Sequence, residues 1–105
     1  MAGGRSESLG GVMKIKGIMI EDIDQVVTLV GAASPGDSIV YRQGAQIHEL
    51  TAVESIPIYH KISCAEIRKG GLVYKYGQPI GTATQDIRPG EWVHIHNLKS
   101  TSLVD

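Results

Sequence analysis

The sequence predicts a mainly β domain built from short strands and many turns, on three observations. No stretch sustains a 3.6-residue apolar period over three helical turns. Short runs rich in β-branched residues alternate instead with turn signals that contain Gly, Pro and Asp. The chain has 105 residues, which favours a single domain.

The elements are expected to be short and closely spaced. Strands are predicted at residues 14–20, 26–30, 38–42, 46–53, 58–62, 72–76 and 92–96, with turns at 21–24 and 33–37. One short helix is predicted at residues 63–69, because Ser63 and Glu66 have the spacing of a capping box. Gly70 is placed to end this helix.

The first residues differ in composition from the rest. Gly and Ser dominate them, and apolar side chains are few. Such a segment cannot offset the entropy that it would lose on ordering. We therefore expect a disordered tail over residues 1–13 and a domain over residues 14–105.

Part of the sequence is echoed further along the chain. Residues 66–73 and 86–93 both run from an acidic residue through Ile, Arg and Gly into an apolar segment. The echo predicts one bend, followed by a strand, that is used twice. A chance match between two turn-rich segments is the alternative.

Charge and composition argue against several classes of partner. The formal net charge is -1, Phe is absent and there is one Trp, so neither nucleic acid nor an anionic membrane is expected as a partner. The longest apolar stretch, residues 26–33, is far shorter than the ~20 residues of a membrane-spanning helix. The single cysteine, Cys64, cannot form an internal disulfide, which is typical of a cytoplasmic protein.

The segment of residues 92–97 contains the strongest candidate site. On a strand, Trp92, His94 and His96 share one face, and Val93 and Ile95 share the opposite, core-facing one. Two imidazoles two residues apart can converge on one divalent metal or one anionic ligand. The alternative is a pair of histidines that face solvent.

His60 and Lys61 form a second candidate. If residues 58–62 are extended, His60 lies on the face of Ile58 and Ile62, and Lys61 points away. A lone histidine on an apolar face is more often a hydrogen-bonded structural residue. Proximity to His94 would instead make an acid/base or metal cluster.

Residues 75–81 form the third candidate, with Gly77 and Gly81 on either side of a Gln-Pro turn. A tight hairpin is the simpler interpretation. In the functional interpretation, Lys75 or Tyr76 holds a carboxylate or a hydroxyl of a substrate.

Four motifs occur in order in the second half of the chain. They are Ile56-Pro57-x-x-His60-Lys61-Ile62-Ser63, Glu66-Ile67-x-Lys69-Gly70, Val73-x-Lys75-Tyr76-Gly77-x-x-Ile80-Gly81-x-Ala83 and Ile87-x-x-Gly90-x-x-Val93-His94-x-His96-Asn97-Leu98. Together they resemble the SAF domain at the N-terminus of altronate and galactarate dehydratases, and of the small subunit of sulfolactate sulfo-lyase. The match is dense over residues 56–98 and weaker upstream, where residues 35–40 resemble the family's opening strand.

The resemblance implies a β-clip fold, in which short strands fold twice on themselves. It also implies a lyase that removes water, or sulfite, from a hydroxy acid with the help of a divalent metal, Fe²⁺ or Mn²⁺. The pair at His94 and His96 resembles the altronate and sulfolactate branches more than the galactarate branch. Tyr59 stands where the family usually has Gly, and its bulk is expected to restrict the backbone or to add a wall to the site.

The expected roles follow from the motifs and the resemblance together. The catalytic candidates are His60, His94 and His96, with His94 and His96 as candidate metal ligands, and the substrate-binding candidates are Lys61, Lys75 and Asn97. A domain of this size has little room for a deep pocket of its own. We therefore expect a large catalytic dehydratase subunit that shares the metal and the small sugar-acid substrate, and without which the chain is inactive.

Several alternatives stay open at this point. The chain ends soon after the last motif, so we expect a separately encoded subunit or a piece of a longer protein. It could be the small subunit of a sulfolactate sulfo-lyase, a non-catalytic carbohydrate-binding module, or a structural assembly domain in which the histidines are incidental. A homo-oligomer is a further alternative.

Overall fold

The computed structural model describes residues 12–100, and they form nine strands and no helix. The strands are β1 Lys14–Ile18, β2 Val26–Leu29, β3 Ser38–Gln43, β4 Gln46–Thr51, β5 Lys61–Ser63, β6 Leu72–Lys75, β7 Gln78–Ala83, β8 Trp92–Val93 and β9 Leu98–Ser100. The predicted mainly β class is confirmed. Most of the predicted tail, residues 1–11, lies outside the described residues.

The strands form two sheets. A six-stranded sheet has the order β4-β3-β1-β2-β5-β8, and a three-stranded sheet has the order β6-β7-β9. β1 and β3 are parallel, and every other pair in these sheets is antiparallel. No helix of residues 12–100 has the length and apolar character needed to cross a membrane.

β2 separates two hydrophobic clusters. Val27 and Leu29 belong to the first, together with Ile39, Ile56 and Ile62. Val26 belongs to the second, together with Ile67, Val73, Ile87 and Val93. Successive side chains of a strand point to opposite faces, so one β2 strand supplies both clusters. The run of apolar residues at 26–29 therefore reflects a strand that is buried on both faces.

One kind of turn occurs four times in the described part of the chain, each time before a strand. In three of these turns a glycine has a positive φ: +93° at Gly36, +88° at Gly70 and +95° at Gly90. The fourth has Tyr59 at that position with a φ of +69°. The first residues of these turns pair through bridges, Ala33 with Ile56 and Ile67 with Ile87. The sequence echo therefore corresponds to a real repeat, and the turn occurs twice more than predicted.

The predicted helix at residues 63–69 is wrong. Ser63 ends strand β5, and its hydroxyl donates to the carbonyl of Ala65 over 2.6 Å. Ile67 exchanges two backbone hydrogen bonds with Ile87, at 2.8 and 2.7 Å. A capping-box spacing without an apolar helical stripe behind it is a weak signal. Pairing with a distant segment overrides it here.

Two further boundaries differ from the prediction. Residues 58–59 form a turn, so β5 begins only at Lys61. The predicted Gln-Pro turn is part of strand β7, and the turn lies one step earlier, at Tyr76 and Gly77. Pro79 is tolerated because it pairs with Tyr74 next to an irregularity in the β6–β7 ladder, before the pairing with β9 begins.

Asp24 connects the turn before β2 to the β6–β7 turn. Its carboxylate accepts hydrogen bonds from the backbone N–H groups of Glu21 at 3.0 Å, Tyr76 at 3.0 Å and Gly77 at 2.8 Å. Asp24 lies in the predicted turn at residues 21–24 and is only 4% exposed. Burial alone would raise the pKa of Asp24, but these hydrogen bonds outweigh it and lower that pKa below its usual 3.8.

Replacing Asp24 with Asn should destabilise the domain by about 1.5–3 kcal/mol near neutral pH, because a charged acceptor of several backbone bonds is lost. The depressed pKa means that this contribution is fully present above the unfolded pKa and is lost as pH falls through the folded one. Denaturant unfolding at about pH 7 and about pH 3 measures both effects. The exposed Asp22→Asn variant is the control, and equal free energies for Asp24→Asn and wild type near pH 7 would contradict the assignment.

The domain should be more stable with Gly than with Ala at position 59, whereas Gly is usually the more destabilising of the two. The left-handed conformation of Tyr59 costs roughly 1–2 kcal/mol for a residue with a Cβ, and Tyr59→Gly removes that cost while Tyr59→Ala keeps it. We expect Tyr59→Gly to be more stable than Tyr59→Ala by about 1 kcal/mol in thermal or denaturant unfolding. An Ala variant at least as stable as the Gly variant would show that the turn relaxes out of this conformation.

Candidate functional site

Four rings gather at the β5–β8 edge of the six-stranded sheet, and we call them the ring cluster: His60, Trp92, His94 and His96. The ring centroids of His60 and His94 are 4.8 Å apart, and those of His60 and Trp92 are 5.6 Å apart. Trp92 stacks on His94 at 5.3 Å with an interplanar angle of 8°. His96 contacts Trp92 at 5.3 Å.

Strand register brings His60 to His94. β5 and β8 are antiparallel, with Lys61 opposite Val93 and Ile62 opposite Trp92. Extending that register by one residue places position 60 opposite position 94. Ile62 and Val93 are both fully buried, which anchors the two short strands in the core.

The predicted strand at residues 92–96 ends at Val93, and residues 94–97 form a turn. Ile95 is 82% exposed, so its predicted place on a core face is wrong. The cause is the buried Asn97 side chain, which accepts from the N–H of His94 at 2.9 Å and donates to the carbonyl of Trp92 at 2.8 Å. These bonds satisfy backbone groups that a longer strand would have paired with a neighbour.

Two hydrogen bonds orient Trp92. Its backbone N–H donates to Oε2 of Glu54 at 2.8 Å, and its indole Nε1 donates to Nδ1 of His60 at 3.2 Å. Because Nδ1 of His60 accepts, the neutral imidazole carries its proton on Nε2. His60 therefore offers an N–H donor, not a lone pair, from its second nitrogen.

His94 differs from His60 because it can accept a proton. Desolvation, followed by the neighbouring charges of His60, Lys61 and His96, lowers the pKa of His94 below its usual 6.5. A half-buried His94 is therefore neutral near pH 7 and has a lone pair available for a proton.

The candidate metal ligands do not form a complete metal site. Nowhere in residues 12–100 do three or more His, Cys, Asp or Glu side chains come together in a way that could hold a metal ion. Zinc sites use at least three protein ligands, and non-haem Fe(II) sites commonly use two His and one carboxylate. The tautomer of His60 also leaves no nitrogen lone pair for a metal while the bond from Trp92 persists.

The predicted substrate-binding residues occupy two different environments. Asn97 is 1% exposed, and both ends of its amide bind backbone. Lys61 and Lys75 are both half-buried, and Nζ of Lys75 lies 3.6 Å from the ring centroid of Tyr76.

Sequence reasoning missed two residues that shape this region, Glu54 and Asp24, and it missed the hydrogen bond from Trp92 to His60. Glu54 supports Trp92, Asp24 holds the Tyr76–Gly77 turn, and the indole of Trp92 sets the tautomer of His60. The partners are separated by 38, 52 and 32 positions in the chain. No local sequence pattern reveals such pairs. The single Trp close to two histidines in the sequence could, however, have indicated a contact between an indole and an imidazole.

The depressed pKa of His94 can be measured directly. In an NMR titration of the histidine ring protons, His94 should titrate below 6.5. Lys61→Gln should raise its midpoint, because one nearby positive charge is removed, and the exposed Lys69→Gln is the control that leaves it unchanged. A His94 midpoint above 6.5, or one indifferent to Lys61→Gln, would contradict this account.

Comparison with known proteins concerns the domain as a whole and not only the candidate site. The family model of the altronate/galactarate dehydratase SAF domain matches residues 15–101. Altronate dehydratase of Bacillus subtilis (strain 168) is 38% identical over 68 residues, which cover 61% of this chain and 14% of that protein. Altronate dehydratase of Escherichia coli (strain K12) is 33% identical over 88 residues, 84% of this chain and 17% of that protein.

A second kind of relative carries the same domain. The (2R)-sulfolactate sulfo-lyase subunit alpha of Chromohalobacter salexigens is 43% identical over 47 residues, 45% of this chain and 50% of that protein. The chain thus spans half or less of each of these three relatives. With its family model matched over nearly all of the described strands, the chain belongs to the family of altronate/galactarate dehydratase SAF domains.

Proposed function

We propose that this chain is the small subunit or N-terminal module of a sugar-acid hydro-lyase of the altronate dehydratase type. In this proposal the chain contributes the ring cluster to an active site that it shares with a large catalytic subunit. The observation that carries the proposal is the 4.8 Å approach of His60 and His94, whose ring nitrogens have complementary proton states.

The chemistry of dehydration matches these two imidazoles. A base removes the proton on the carbon next to the carboxylate, and the neighbouring hydroxyl departs with a proton as water. A neutral His94 can take the carbon proton and return it to the departing hydroxyl, so that protons balance. The Nε2–H of His60 can donate a hydrogen bond to the substrate oxygen on which negative charge develops.

The other predicted residues take supporting roles in this proposal. Asn97 acts as a positioning residue, since its amide is buried and holds the turn that carries His94 and His96. Lys61 and Lys75 attract the acidic substrate. Fe²⁺ or Mn²⁺ can bind in this proposal only if the large subunit supplies further ligands, because two imidazoles are too few to hold the ion.

Exposed apolar side chains next to the ring cluster support a shared site. Ile58 is 42% exposed and Tyr59 71% exposed, both immediately before His60, and Ile95 between the two later histidines is 82% exposed. Exposed large apolar residues that gather around polar groups are typical of a protein interface. A large subunit that covers them would also exclude water from the imidazoles.

The test is co-expression with a candidate large subunit and an assay for dehydration of sugar acids. We expect the His94→Ala, His96→Ala double variant, and His60→Ala separately, to assemble normally and to lose at least about 100-fold in kcat. His48→Ala, on β4, is the matched histidine control and should retain activity. A double variant that assembles and keeps full activity would remove the catalytic role from the ring cluster.

A second candidate is the small subunit of a sulfolactate sulfo-lyase. It is favoured by similarity to subunit alpha of that enzyme, at 43% identity in Chromohalobacter salexigens and 41% over 51 residues in Paracoccus pantotrophus. Sulfite leaves as an anion, so this reaction needs only the removal of the carbon proton. Assay of the same complexes for sulfite release from sulfolactate decides between the two candidates.

A further inference from the structure

Lys61, which follows His60, and Lys75 form no ion pair with a carboxylate of residues 12–100. Lys61 lies in β5 and Lys75 at the end of β6, and both are half-buried. Among residues 12–100 the ion pairs are Lys14 with Glu49 and Arg68 with Glu66, so neither Lys61 nor Lys75 is paired with a carboxylate.

Backbone contacts bring the segments of the two lysines together. Lys61 lies in β5, which pairs with β2, and Gln25, just before β2, binds both backbone polar groups of Tyr74, the neighbour of Lys75. Desolvation, followed by the charge of Lys75, lowers the pKa of Lys61, and only Tyr76 acts in the opposite direction. Two like charges that are partly removed from water and have no counterion are unfavourable. A bound anion would relieve that repulsion.

The hydroxyl of Tyr76 is a third polar group beside these lysines, and the backbone conformation of its turn positions it. Tyr76 has a φ of +59°, and Asp24 holds its N–H and that of Gly77 at 3.0 and 2.8 Å. The phenol of Tyr76 is thereby kept 57% exposed, with Nζ of Lys75 3.6 Å from its ring centroid. The ammonium group of Lys75 lowers the pKa of Tyr76, and the charge of Lys61 adds to this effect.

From this geometry we propose that Lys61, Lys75 and the hydroxyl of Tyr76 form an anion subsite that binds the carboxylate of a small hydroxy acid. The proposal deepens the proposed function, and the identity of the acid rests on that function. Lys61 lies on the Val93 side of β5, opposite to the Trp92 side, yet its charge reaches His94. A carboxylate held here therefore lies at the margin of the ring cluster that would act on the adjacent carbons.

The available donors suit a carboxylate better than a phosphate. Phosphate sites in proteins are commonly built from successive backbone N–H groups. Here the N–H groups of the Tyr76–Gly77 turn are already occupied by the carboxylate of Asp24. Two ammonium groups and one hydroxyl remain, and each ammonium group can donate to one of the two oxygens of a carboxylate.

The test is an NMR titration of the full-length chain with D-gluconate, a sugar acid, and with sorbitol as a neutral polyol of similar size. Gluconate should shift the backbone amides of Lys61, Tyr76 and Gly77 saturably, and sorbitol should not. Lys61→Gln and Lys75→Gln should each weaken binding about tenfold, as expected for the loss of one charge-assisted contact. The exposed Lys69→Gln is the matched control and should bind as wild type does.

Three outcomes of the binding titration would overturn the subsite. These are no saturable shift with gluconate, unchanged affinity in the Lys61→Gln, Lys75→Gln double variant, and inorganic phosphate binding at these residues more tightly than gluconate. A double variant that fails to co-purify with the large subunit, with KM unchanged in the fraction that assembles, would also overturn it. That result would assign the lysines to an acidic side chain of the partner.

Failure of the subsite and failure of the proposed function are distinguishable. If gluconate binds as described but the His94→Ala, His96→Ala complex remains fully active, the subsite stands and the proposed catalytic role fails. If the complex dehydrates sugar acids but the lysine variants change neither gluconate binding nor KM, the function stands and the subsite fails.

Discussion

The candidate site depends on the pairing of two very short strands, β5 and β8. This pairing is the contact that brings residues from the middle of the chain to residues near its end, with Lys61 opposite Val93. A shift by one residue would move His60 away from His94 and would turn Ile62 or Val93 away from the hydrophobic cluster into which it packs. Because those two side chains are fully buried, the core itself holds the register that the histidines need.

Polar side chains form hydrogen bonds with backbone groups that the short strands leave without a partner. Asn97 closes the turn after β8, Glu54 accepts the N–H of Trp92, and Asp24 accepts three N–H groups around two turns. For residues 12–100, every buried side-chain nitrogen or oxygen has a hydrogen-bond partner. In a fold with so little regular secondary structure, such side chains replace the ladder bonds that longer strands would supply. The same residues fix the positions of the candidate catalytic and substrate-binding groups.

The ring cluster is an open arrangement, and this agrees with a domain that contributes part of a site. Its imidazoles have distinct proton states, yet they lie at a sheet edge beside exposed apolar side chains. A partner surface would exclude water from them and would supply the groups that this chain lacks. Membership in the dehydratase SAF family fits such a division of work, since the related altronate dehydratases are much longer than the matched segment.

The sequence alone determined the β class, most strand positions, the repeated Gly turn and the motifs of the family, because these depend on local propensity and on residue order. It did not determine where β8 ends, that residues 63–69 are not helical, or that residues 78–83 form a strand. The end of β8 depends on the side chain of Asn97, which binds backbone groups on both sides of its turn. The other two depend on partners far away in the chain, since Ile87 pairs with Ile67 and β9 pairs with β7. Only the tertiary structure decided the tautomer of His60 and showed that Lys61 and Lys75 form no ion pair within residues 12–100. Hydrogen bonds and charges between segments act through space, and a linear pattern records neither their distances nor their desolvation.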